Sequence, residues 1–83
     1  MANQSHRNIL EEGVETWNSW RARNPSVTPP LHGAILHRAD LRGVNLRGAR
    51  LSFAQLAWAD LRWVDLRGAE LSEAIMPDVS RHP

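Results

Sequence analysis

The chain has 83 residues, and its ten basic residues, all arginine, face nine acids for a net charge of +1. That length allows one small domain, near the lower limit at which a single core supports folding. With no cysteine, disulfides and Cys-based zinc sites are excluded, and no run reaches the ~18 apolar residues a membrane span needs.

The N-terminal segment MANQSHRNILEEG has no apolar stretch after a basic start, so a signal peptide is not expected and a cytoplasmic location is. A helix is predicted from Ser5 or Asn8 to Arg23. Asn8 and Glu11 have capping-box spacing, Glu11 and Glu12 suit the positive end of the helix dipole, and Arg21 and Arg23 suit the other. Asn24-Pro25 stops it. Ile9, Leu10, Val14, Trp17 and Trp20 fall on one face, with Gly13 among them, and acids, Asn18 and Arg23 lie opposite. Glycine at that place costs about 1 kcal/mol of helix propensity, for which close approach to another backbone is the expected reason. PSVTPP at residues 25–30 is an extended connector.

From there a different rhythm takes over. Leucine falls at 31, 36, 41, 46, 51, 56, 61, 66 and 71, Met76 takes the next slot, and a small apolar residue lies two places before each. Residues 39–58 and 59–78 are one 20-residue unit written twice, identical at 12 of 20 positions. A five-residue stripe drifts around an α-helix and does not match the two-residue alternation of a strand. It does fit a square coil with one pentapeptide per side. The predicted fold is therefore mainly β: a short right-handed quadrilateral β-helix of about two turns, capped by one N-terminal α-helix. Residues 1–30 form the cap and connector, 31–78 the solenoid and 79–83 a flexible tail. Leu36, Leu41, Leu46, Leu51, Leu56, Leu61, Leu66 and Leu71 are its expected core, and the helix is the lid that keeps the first turn from presenting bare backbone. The far end, with Pro77 and a short polar tail, is under-protected.

The beat ADLRG, VNLRG, ADLRW, VDLRG resembles that of the pentapeptide-repeat family of bacteria, over residues 34–78, and GVETWNSWRARNP resembles a helical segment that precedes such repeats. Membership implies the right-handed quadrilateral form, with leucine and the small residue inward. The best-understood members are dimers that imitate DNA, bind DNA gyrase and shield it from quinolones. That role, as inhibitor or protector of a nucleic-acid enzyme, is the alternative here, and two features disfavour it. The outer positions carry six arginines (38, 42, 47, 50, 62, 67) against six acids (40, 60, 65, 70, 73, 78), which sum to zero. A two-turn column about 10 Å tall also spans only about three base pairs.

Phe53, Trp58 and Trp63 replace the small residue usual in the fifth position and occupy outward corners. They either pack against the helix or tail, or form a sticky surface rimmed by Arg42 and Arg62. No catalytic constellation, phosphate loop or metal-ligand spacing occurs among the scattered histidines, so no cofactor, metal or small-molecule substrate is expected. Charge is +3 over residues 34–53 and −3 over residues 54–78, which helps the turns attract, and the four arginines of the first block lie on different sides, so no nucleic-acid groove forms. The sequence points to a non-enzymatic structural and interaction module that self-associates as a dimer or larger homo-oligomer, or docks on another protein.

Overall fold

A leucine at every fifth residue leaves room for one tight turn between successive leucines. In the computed structural model, residues 4–78 are described, and nine such turns follow one another. In each, the amide of the small residue donates to the leucine carbonyl three places before it, from Ala34 to Leu31 (3.0 Å) through Ala74 to Leu71 (2.9 Å). The third residue of each turn has positive φ, between 60° and 74°, the left-handed geometry of a type II turn.

Four such segments complete a circuit. The parallel bridges join residues twenty apart: Pro30 with Arg50, Ile35 with Gln55, Asp40 with Asp60, Asn45 with Asp65, Arg50 with Glu70 and Gln55 with Ile75. Each is an isolated bridge, because only a few residues lie between turns and no strand can lengthen. The ladder runs in both directions. Leu46 donates to the carbonyl of Asp65 (2.9 Å) below it, and Asp65 donates back to Val44 (3.1 Å). Four sides result. Side one holds residues 29–33, 49–53 and 69–73; side two holds 34–38, 54–58 and 74–78; side three holds 39–43 and 59–63; side four holds 44–48 and 64–68.

The bore is filled as the spacing requires. Leu31, Leu36, Leu41, Leu46, Leu51 and Leu56 are buried with Ala34, Val44, Ala49, Ala54 and Ala59. Leu61, Leu66 and Leu71 are half-buried against the same cluster. They lie in the last circuit, below which no further turn stands among the described residues.

The lid differs from the expectation of one helix. Two helices are present, α1 (Gln4–Glu11) and α2 (Val14–Arg23). Gly13 separates them at φ 117° and ψ 166°, a combination open only to glycine. Asn8 therefore lies inside α1 and does not begin it, and Gln4 and Ser5 are helical. The reason expected for Gly13 is also corrected: a Cβ there would meet nothing within 4 Å, so its backbone angle and not a close neighbour demands glycine. Residues 79–83, where a flexible tail is expected, lie outside the described residues.

Leu10 and Trp17 are buried in the core, and Ile9, Val14 and Trp20 pack against it. The polar contacts of α2 matter as much. Every upper turn of this coil needs partners for the backbone groups that would face a turn above it, and side chains of α2 supply several. Trp17 Nε1 donates to Asn45 O (2.7 Å). Asn18 donates to Gly43 O (3.1 Å) and accepts from Asn45 N–H (2.8 Å). Arg21 donates to Arg47 O (2.7 Å). Apart from Gly43 O, these are the positions that the ladder fills elsewhere with backbone.

The burial gradient sets an expected order of mutational cost. Leu46→Ala removes a fully buried side chain and should cost roughly 2–5 kcal/mol, whereas half-buried Leu66→Ala should cost clearly less. Urea denaturation of the two variants checks this, and an equal or larger loss at Leu66 would contradict the packing.

Candidate interaction surface

The fifth position of each pentapeptide is where a residue faces outward with left-handed backbone. Glycine meets that need at 33, 43, 48 and 68, but Arg38, Phe53, Trp58, Trp63 and Glu73 also adopt it, at φ 60–62°. For a residue with a Cβ this conformation costs roughly 1–2 kcal/mol, and for a bulky one it is an outlier. The three aromatics carry a second cost, since Phe53 is 64% exposed, Trp58 63% and Trp63 78%. They do not pack under the helices. They stand at the ends of three successive segments of one circuit rather than in one stacked column.

Trp58 is the shared corner. On one hand it borders side two, whose other edge is Phe53. There Ile35, 56% exposed, stacks through Gln55 to half-buried Ile75. This pair of isoleucines flanking a glutamine was missed by sequence reasoning, although the signal was present: isoleucine stands at 35 and 75 in the slot that holds Asp or Asn at 40, 45, 60 and 65.

On its other hand Trp58 borders side three, which ends at Trp63 and carries Arg42 and Arg62. Both arginines are held by their own acids. Arg42 Nε and Nη2 reach the two oxygens of Asp40, each at 2.9 Å, and Arg62 Nη2 reaches Asp60 at 2.8 Å. Asp40 Oδ1 also accepts the Arg42 amide (3.3 Å), and Asn45 Oδ1 accepts that of Arg47 (3.1 Å). These Asx-type bonds explain Asp or Asn before the leucine: the short side chain closes the turn that follows. Between circuits, Arg42 lies 3.8 Å from Asp60, and Arg50 lies 3.8 Å from Glu70. Stacked like charges are thus separated by opposite ones. The Arg62 guanidinium also sits 5.4 Å from the Trp63 ring centroid, a cation–π distance. Side two carries Ile35 and Ile75 beside polar His37, Arg38 and Gln55, side three is polar and charge-balanced, and they meet at one tryptophan.

Residues 31–62 and 54–80 match the family described as "Pentapeptide repeats (8 copies)"; together they cover 31–80, which is 50 of 83 residues. The chain belongs to the pentapeptide-repeat family. No curated protein and no solved structure matches it. The family is a structural repeat module, compatible with a scaffold or interaction role, and pentapeptide repeats imply a β-solenoid in general. Among the described residues no helix is long and apolar enough to cross a membrane.

The repeat's Asp–Arg forks shift their own titrations. The Arg42 side-chain hydrogen bonds hold the Asp40 carboxyl down from 3.8 to about 2, and those of Arg67 do the same to Asp65. Asp60 is lowered by Arg62. A carboxyl depressed in the folded state stabilises the fold above its unfolded value, and that contribution fades as pH falls from 3.8 towards 2. Carboxyl NMR titration of this pentapeptide-repeat protein should find Asp40 and Asp65 protonating last. Arg42→Gln should return Asp40 towards its ordinary value and leave Asp65 unmoved. A midpoint for Asp40 that ignores the substitution would contradict the fork.

Proposed function

We propose that this pentapeptide-repeat protein is a non-enzymatic interaction module, a short right-handed quadrilateral β-helix that self-associates through the sides meeting at Trp58. The carrying observation is that Phe53, Trp58 and Trp63 combine exposure with left-handed backbone. Glycine at these corners would relieve the backbone cost and remove the exposed apolar surface together, so folding alone gives no reason for aromatics there. Occupation by a partner does. Phe53, Ile35 and Trp58 supply an apolar centre, while Arg42, Arg62 and Trp63 form the adjoining polar flank. Side three carries both signs in equal number, so a second copy turned about a two-fold axis meets complementary charges. One side of a coil this short offers little area, which fits a weak or transient contact. The charge-balanced surface gives no support to imitation of a polyanion.

Trp58→Gly separates association from folding. Both Trp58→Gly and Trp58→Ala lose the indole, but only glycine is at ease at this φ, so the glycine variant should fold about 1 kcal/mol more stably than the alanine variant. Both should shift sedimentation equilibrium towards monomer. A parent chain that stays monomeric at millimolar concentration would overturn the self-association reading.

A further inference from the structure

A second feature lies at the helix-capped end of side four, and none of the aromatic corners lines it. Beside the last turn of α2 is a cleft of about 490 Å³, lined by Arg21, Arg47, Arg67, Ser26 and Thr28 among others. Three guanidiniums share it, and the acid beside them is Asp65. Arg67 takes that carboxylate at 2.8 Å, and Arg47 reaches it only at 3.9 Å.

Arg21 is the unusual member. It is 5% exposed, and no acid among the described residues pairs with it. Its Nη1 donates to Val27 O (2.6 Å) and its Nη2 to Arg47 O (2.7 Å), which satisfies hydrogen bonding at those atoms and leaves the charge unneutralised. Its Nε has no partner. A buried cation opposed only by carbonyl dipoles is costly, and burial, followed by the neighbouring Arg47 charge, holds its pKa below the ordinary value. The negative C-terminal end of α2 is the dipole nearest it, and Asp65, the acid beside the cleft, is held by Arg67. The remaining charge in the cleft is positive, and Ser26 and Thr28 of the connector also line it.

We propose that this cleft binds a phosphate-type oxyanion, free or carried on a small molecule, with Arg47 and Arg67 as direct ligands, Ser26 and Thr28 as hydroxyl donors and buried Arg21 as the fixed charge behind them. Guanidiniums suit such an ion because a planar fork donates two bonds to adjacent oxygens; Arg47 supplies that fork, while Arg67, whose Nε and Nη2 hold Asp65, supplies Nη1. The volume exceeds what a bare phosphate fills and leaves room for a small organic substituent.

The full chain is titrated with inorganic phosphate and, separately, with phenyl phosphate, at ionic strength fixed with chloride. Readouts are the arginine Nε–H resonances and the melting temperature. Saturable movement of the Arg21, Arg47 and Arg67 signals is expected, with a matching rise in melting temperature. Comparable affinity for phenyl phosphate assigns a phosphomonoester, and response to inorganic phosphate alone assigns the free ion. The Arg47→Gln/Arg67→Gln double variant, altered at exposed positions, should bind about tenfold or more weakly, while Arg50→Gln on side one should bind as the parent does. Signals that follow chloride and phosphate alike, or binding that survives the double substitution, overturn the proposal.

Discussion

The backbone ladder between residues twenty apart is the constraint on which the rest of the structure depends. Each leucine amide above the last circuit donates to the circuit below, while the residue just before the leucine donates to the circuit above, as at Leu46–Asp65 and Asp65–Val44. Those bonds form only if each five-residue segment ends in a tight turn and every fifth side chain clears the bore. Leucine fills that bore, the small residue lets the wall close on it, and Asp or Asn braces the next turn. Hydrophobic burial and hydrogen bonding therefore select the same register. A one-residue slip would turn the leucines outward and break the Asx contacts together.

A coil built this way has an end problem that a globular core does not, because its first circuit has backbone groups facing nothing. Here α2 substitutes side chains for the missing strand. Asn18 is well suited to this, since its amide offers a donor and an acceptor side by side, as a peptide group does. Trp17 joins the two ways of holding the lid, with its ring in the core and its Nε1 on a carbonyl. Arg21 caps as well, but brings a charge that capping does not require.

Most of the fold was legible because leucine repeats with a period that few structures share. The core leucines and the stacked pairs follow from counting alone. The lid was less legible. Capping-box spacing at Asn8 suggested a helix start, and helical periodicity continued across Gly13, so one helix was the natural reading. Periodicity sees side-chain direction but not the backbone angle at one residue, and φ 117° at Gly13 splits what the pattern joins. The surface was legible in part. Phe53, Trp58 and Trp63 stood out as departures from the beat, and their strained backbone follows from the turn type. That they point to different corners follows from the circuit, and the isoleucine pair went unseen because isoleucine is unremarkable outside its slot. The arginine cleft had no sequence signal, since α2 and side four meet only in the folded chain.

The central claim is the twenty-residue circuit, and NOESY spectra test it most directly. The account predicts inter-turn contacts across the bridges from Asp40 to Asp60 and from Asn45 to Asp65, with turn contacts recurring every five residues. Continuous amide contacts of helical spacing over residues 39–78, with no contact between those pairs, would contradict it.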